Sequence, residues 1–331
     1  MKKKTKSTPK LKFAFYWAAS CGGCEIAVLD INERILDVVK KADIVFWPVA
    51  LDFKYKDLEK MPDKHIDVCF FNGGIRTSEN EHLAKLLRKK SKFMVAFGSC
   101  ACSGSIPALA NLHTRESIFR TVYEESPSTK GSTMPKTLSE VKGGCLTLPE
   151  FYPELLSLSR VVDVDYYLPG CPPPVKLIGQ AVDAILKNKL PEKGAVLAPA
   201  KSVCDECGRE KTEKKITEIK RVHEIIPDPE KCLLEQGIIC LGPATRAGCE
   251  ARCLNANMPC AGCMGPCPDV LDQGSKMISA LGSILGKEGR DEISEKEAEE
   301  LISSIKDPVG TFYKFTLAGS LAGSLIKRKE K

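Results

Sequence analysis

The chain has 331 residues, 43% of them hydrophobic, and a formal net charge of +6, long enough for two domains of ordinary size and for a substantial core. No run approaches the roughly 20 uninterrupted apolar residues of a membrane helix, so membrane insertion is not expected. The basic excess is spread along the sequence, with small concentrations at residues 2–6 and 327–331 that read as solvated tails rather than as a nucleic-acid-binding face.

After the lysine-rich head comes a single short apolar stretch, with neither an A-x-A cleavage site nor a twin arginine; a first strand and a cytoplasmic chain are expected. Residues 12–18 read as that strand. Over residues 25–42 the set Ile31, Ile35, Val38, Val39 and Ala42 has helical spacing, and residues 43–48 form a second strand. A third strand at 66–71 ends in Asn72-Gly73-Gly74, a helix follows at 79–90, and a fourth strand at 92–97 ends in Gly98-Ser99-Cys100. Residues 126–144, rich in Ser, Thr, Lys, Pro and Gly, predict a long docking or covering loop, with Cys145 at its end as a non-ligand. A fifth strand at 161–168 leads through Pro172-Pro173-Pro174 into a helix with Val175, Ile178, Val182 and Ile185 inward. This alternation predicts an α/β doubly wound parallel sheet over residues 1–190. From residue 191 to 331 a cysteine-rich part is expected, stabilised by metal and followed by helices at about 274–285 and 294–306, the second stopping at Asp307-Pro308.

Sixteen cysteines set the chemical class, because a reduced cytosolic protein has little use for disulfides and much use for thiolate ligands. Cys69 and Cys102 read as buried thiols. Cys21, Cys24, Cys100 and Cys171 all fall just past the carboxyl end of a predicted strand, where open parallel sheets bind ligands, so four thiolates from three strand ends can share one crevice. C-x-x-C occurs at Cys21/Cys24, Cys204/Cys207 and Cys260/Cys263, and a two-residue spacer lets one turn present both sulfurs. With Cys100, Cys171, Cys232, Cys240, Cys249 and Cys253 these make twelve thiolates, the number that three four-ligand sites require. The run Cys260-x-x-Cys263-x-x-x-Cys267-Pro268 matches the end of the bacterial ferredoxin pattern, and single cysteines standing between the pairs are unlike a zinc ribbon. Three oxidised cubanes would also carry about six negative charges and offset the net charge.

Two other classes compete with this one. A zinc-stabilised nucleic-acid-binding protein would need a basic face with aromatics, and aromatic content is only 6%. A thiol–disulfide redox enzyme would account for Cys21/Cys24 alone. The four histidines are scattered, away from every cysteine pair. Arg246 and Arg252 among the last cysteines could tune a cluster or be solvated, the latter being favoured.

Cys21-Gly-Gly-Cys24-Glu25, Gly98-Ser99-Cys100 and Pro169-Gly170-Cys171-Pro172-Pro173 together resemble the small subunits of nickel–iron hydrogenases. The resemblance implies a flavodoxin-like domain whose Cys21, Cys24, Cys100 and Cys171 hold a proximal [4Fe–4S] cluster. It also implies a distal cluster on Cys204, Cys207, Cys232 and Cys240, and a medial one on Cys249, Cys253, Cys260 and Cys263, with Cys267 left over. The family commonly has histidine where Cys204 stands and a proline that limits many medial clusters to three irons; this chain departs from both habits. Cys240-Leu-Gly-Pro-Ala-Thr-Arg246-Ala-Gly-Cys249 and the ending Asp307-Pro308-x-Gly310-Thr-Phe-Tyr are similar to archaeal soluble hydrogenase gamma subunits. Of these the viologen-reducing, deazaflavin-non-reducing type associated with heterodisulfide reductase fits best, ahead of the deazaflavin-coenzyme-reducing type and the sulfhydrogenases. The implied role is electron transfer from a catalytic nickel–iron centre on a large partner subunit, through three [4Fe–4S] clusters, to an iron–sulfur or flavin acceptor.

Overall fold

A computed structural model describes residues 9–130, 133–212, 215–286 and 294–322; the lysine-rich head and tail lie outside them. The elements run β1 (Leu11–Trp17), α1 (Gly23–Leu29), α2 (Arg34–Lys41), β2 (Ala42–Phe46), α3 (Tyr55–Lys60), β3 (Ile66–Asn72), β4 (Ile75–Thr77), α4 (Ser78–Lys90), β5 (Ser91–Phe97), α5 (Ser99–Ser103), α6 (Arg115–Arg120), β6 (Leu138–Val141), β7 (Gly144–Thr147), β8 (Phe151–Leu156), β9 (Tyr166–Leu168) and α7 (Val175–Leu186). Beyond them come α8 (Arg252–Asn255), α9 (Gln273–Ile284), α10 (Glu295–Ser303) and α11 (Pro308–Phe312).

Five strands form one parallel sheet in the order β2-β1-β3-β5-β9, the flavodoxin-like arrangement, whose switch point lies between β1 and β3. Its strands read as continuous apolar runs because both faces are covered. On one face Phe13, Phe15, Phe70 and Phe97 meet Val28 of α1 and Ile178 and Val182 of α7. Phe15 and Phe70, paired in register, stack at 5.0 Å. On the other face Tyr16, Phe71 and Met94 pack with Leu83 and Leu87 of α4.

Three predicted elements differ. The helix expected over 25–42 is two helices, because Asn32 takes a left-handed turn at φ 53 between them, and Val39 is exposed rather than inward. The fifth strand begins only at Tyr166; Leu158–Arg160 is a 3₁₀ turn. Part of the predicted loop pairs as the β6–β7 hairpin, with Glu140 opposite Cys145, and nearly all of that hairpin is exposed.

The cysteine-rich part has few regular elements, yet it has its own apolar cluster. Val203, Leu233, Ile238 and Leu241 from the loops close on Met277 and Leu281 of α9 and Phe312 of α11. Asp307 lies past the end of α10, where the sequence placed a helix stop, and also caps α11 by accepting from the Gly310 N–H at 2.8 Å. The chain then returns to the sheet, where the Ser103 hydroxyl donates to Phe315 O at 2.7 Å.

Candidate metal centre

The first group of thiols sits outside the carboxyl ends of β1, β5 and β9. After β1 the backbone turns through Gly22 at φ 81, where a Cβ would lie 2.9 Å from the Trp17 ring, and α1 then carries Cys24 inward. After β5 the turn is Gly98 at φ 85; a Cβ there would come within 2.3 Å of Cys24 Sγ, so only glycine lets the strand end pass beneath that sulfur. After β9, Gly170 O accepts from the Ser99 N–H at 2.8 Å, and the Gly170 N–H donates to Ser99 Oγ at 3.2 Å, tying the Cys100 and Cys171 turns together. Cys24 and Cys100 are buried, Cys171 is half-buried and Cys21 is exposed. Burial pushes the Cys24 thiol up strongly, with Cys100, Cys171 and Cys21 adding to the effect. Cys100 is pushed up to about 12 for the same reason, with Cys171 and Cys21 adding to it. The other three cysteines thus all act on the Cys24 thiol. Below them the carboxylate of Glu25 is buried, accepting from Trp47 Nε1 at 2.5 Å and from Asn72 Nδ2 at 3.5 Å; burial raises its pKa.

Cys204, Cys207, Cys232 and Cys240 form a second group. Burial pushes Cys204 up to about 12; Lys211 opposes this, and Cys240, Cys232 and Cys207 add to it. Gly242 supplies the clearance, since a Cβ would stand 3.1 Å from Cys204 Sγ and 3.6 Å from Cys240 Sγ.

The third group lies between the other two. Cys263 is pushed up to about 12 by burial, then by Cys249, Cys253 and, across the boundary, Cys171, while the Cys171 peptide N–H opposes the rise. Cys260 is raised by burial and by Cys240 and Cys263, which places it on the side facing the second group. Two side chains brace this region. Gln273 Nε2 donates to Gly262 O, Gly265 O and Thr245 Oγ at 3.0–3.1 Å. The Glu206 carboxylate accepts from the peptide N–H groups of Gly248 and Glu250 on either side of Cys249.

The remaining cysteines are not among the proposed ligands, although Cys100 acts on Cys102. Cys69 is fully buried in the core, and Cys102 donates to Ala96 O at 3.4 Å. Cys145 is exposed on the hairpin. Cys267 donates to Pro243 O and is raised by burial, with Arg246 opposing. Arg246, expected in solvent, is half-buried beside Cys267 and donates to Pro199 O, whereas Arg252 is exposed. Sequence reasoning missed Gln273 and Glu206 as braces; a polar residue at a helix start or between two cysteines carries no signal of a distant partner.

Four thiols per group, each set kept clear by a glycine or braced by polar side chains, suit iron–sulfur clusters in donor chemistry. Among the described residues no three His, Cys, Asp or Glu side chains converge on a point where one ion could be held. All sixteen cysteines are free, and no helix among the described residues is long and apolar enough to cross a membrane.

Residues 21–185 match the family of the NADH ubiquinone oxidoreductase 20 kDa subunit. The iron–sulfur subunit of the F420-non-reducing hydrogenase of Archaeoglobus profundus is 44% identical over 327 residues, 96% of this chain and 98% of its own length. The corresponding subunit of the F420-non-reducing hydrogenase of Methanothermobacter marburgensis is 36% identical over 97% of this chain and 99% of its own. A chain of the Dm. baculatum [NiFeSe]-hydrogenase superposes with a TM-score of 0.51 over 79% of this chain and 97% of that one, at 18% identity, a likeness of fold. With relatives of this identity along nearly its whole length, the chain belongs to the family of F420-non-reducing hydrogenase iron–sulfur subunits, of the nickel–iron hydrogenase small-subunit type.

Proposed function

We propose that this chain carries electrons away from the nickel–iron centre of a partner large subunit through three [4Fe–4S] clusters. The proximal cluster is held by Cys21, Cys24, Cys100 and Cys171, the medial by Cys249, Cys253, Cys260 and Cys263, and the distal by Cys204, Cys207, Cys232 and Cys240. The observation that carries this reading is the serial grouping of the twelve thiols, with the third group seated between the other two. When bound, such a cluster accepts and passes on one electron at a time. The chain's own residues bury or half-bury all the proposed ligand cysteines but Cys21 and Cys253 and place neighbouring groups in contact. Lone zinc ions fit poorly, because zinc–sulfur bonds of roughly 2.3 Å need thiols converging on one point.

The two-part division, residues 1–190 for the proximal site and 191–331 for the others, follows the apolar clusters, although Met264 packs into the core of the first part. The large subunit docks at the crevice, where Cys21 is exposed together with Trp17, Ile26, Leu29 and Ile106. The acceptor is an iron–sulfur or flavin subunit, on the sequence resemblance one belonging to heterodisulfide reductase. A cytoplasmic setting fits sixteen unpaired cysteines. Iron, sulfide, zinc and nickel analysis of the anaerobically purified native complex tests the reading. Iron and sulfide of about a dozen each per copy of this chain, four per cubane, are expected beyond what the partner subunits hold; zinc in their place would refute it.

A further inference from the structure

Arg209 stands two residues after Cys207 and is only 8% exposed. Its guanidinium ties three loops together. Nη1 donates to Asp228 O at 2.8 Å and to Lys231 O at 2.9 Å, and Nη2 donates to Leu254 O at 2.9 Å and to Asn257 Oδ1 at 2.7 Å. Lys231 precedes Cys232 of the distal group and Leu254 follows Cys253 of the medial group, so one side chain holds both loops. All four acceptors are neutral oxygens. The Asp228 carboxylate turns instead to Lys231 at 3.3 Å. At 257, where an aspartate would supply a counter-ion, the chain has asparagine, whose Nδ2 donates to Pro227 O at 2.9 Å. The Nε of Arg209 is buried without a partner. A buried charge with no ionic partner is costly, and arginine stays charged in proteins. Neutral thiols do not offset it, whereas clusters with four thiolates each, carrying about two negative charges apiece, do. Lys211, which donates to Cys204 O at 2.6 Å, is exposed and screened by solvent.

We propose that Arg209 is the buried counter-charge of the distal and medial clusters, raising their potentials while its four bonds hold the loops that carry Cys232 and Cys253. That role rests on the cluster reading above. A fixed positive charge in a low-dielectric setting favours the reduced, more negative form of a cluster. The electron resides on the cluster, Arg209 keeps its proton, and the residue acts by position and charge alone.

The test is a redox titration of the complete complex, followed by electron paramagnetic resonance, with native protein, Arg209→Gln, Asn257→Asp and Arg209→Lys. The first removes the charge, the second cancels it in place with the guanidinium kept, and the third keeps the charge while losing the forked bonds. In Arg209→Gln and Asn257→Asp the distal signal is expected to need a lower potential, its reduction being disfavoured about tenfold, which is about 59 mV for one electron. The medial signal should move the same way and the proximal one should stay. Arg209→Lys should keep the native potentials while its urea midpoint falls. A distal potential unchanged in Asn257→Asp, or lowered in Arg209→Lys as far as in Asn257→Asp, would overturn the charge role. These two variants decide the matter even where Arg209→Gln loses its iron. Native protein with no distal signal would instead overturn the cluster assignment on which the role depends.

Discussion

The peptide N–H of Cys260 donates to Sγ of Cys240 at 3.3 Å, so a residue of the medial group touches a sulfur of the distal group. Its counterpart lies at the other end of the same loop, where the Ser99 hydroxyl, next to Cys100, donates to the Cys263 carbonyl. The Cys260-x-x-Cys263 turn therefore faces both ways, and one hydrogen bond spans each gap of the proposed relay. Gln273 holds the loop between these contacts by its carbonyls. That arrangement fits the proposed order proximal, medial, distal.

Cys171→Ser is expected to abolish hydrogen-dependent dye reduction by the complex while leaving the distal cluster's paramagnetic signal in place. Full activity in this variant would remove Cys171 from the proposed ligands.

Gly98→Ala should lose the proximal cluster selectively. The new Cβ meets Cys24 Sγ at 2.3 Å on a backbone already at φ 85, which adds a clash to the roughly 1–2 kcal/mol that a left-handed residue costs. Gly143→Ala, at φ 95 with nothing within 4 Å, should suffer the backbone cost alone and keep its iron. Iron content and the proximal signal distinguish the two.

Gln273→Ala leaves the Gly262 and Gly265 carbonyls and the Thr245 hydroxyl without this donor in a buried setting. A loss of about 2–3 kcal/mol is expected, read as a lower urea midpoint of the reconstituted protein, with the medial signal the first to broaden or disappear on mild heating.

Asp165→Asn tests the sheet end far from the thiols. Burial pushes the Asp165 carboxyl up, but Lys193 at 2.7 Å, Arg88 at 2.5 Å and the Met94 N–H at 2.8 Å outweigh it and hold the pKa below the usual carboxylate range. The folded pKa is depressed, so its contribution is fully present above about pH 4, the unfolded value, and is lost as pH falls through the folded one. Denaturation midpoints at neutral pH should show the variant less stable by about 3 kcal/mol, as for a broken buried pair. The difference should shrink on acidification; a constant gap down to the acid transition would contradict this reading.

Much of the frame was legible. The apolar runs ending in Gly-rich turns became β1, β3 and β5, neighbours in one parallel sheet; the flavodoxin-like sheet and the hydrogenase resemblance agree with the fold and with the relatives of the chain. Other features were opaque for identifiable reasons. Asn32 breaks a helical stripe by one left-handed residue that the apolar periodicity passes over. The hairpin at β6 and β7 lies in a polar stretch whose pairing leaves no buried face to produce alternation. Arg246 looked like any surface cation, and its partial burial beside Cys267 is made by the Pro199 and Gly265 segments folding over it.

From the sequence alone came the chemistry: twelve thiols in pairs and singles at strand ends and in turns, because a two-residue spacer and a strand terminus are local properties of the backbone. That the Cys260 peptide reaches Cys240 Sγ, that the Gly98 turn passes beneath Cys24 Sγ and that the Ser99 hydroxyl reaches the Cys263 carbonyl were decided by the tertiary structure. Those relations join residues tens to hundreds of positions apart, and only packing of the loops on the sheet and on α9 brings them within the few ångströms over which hydrogen bonds and charges act.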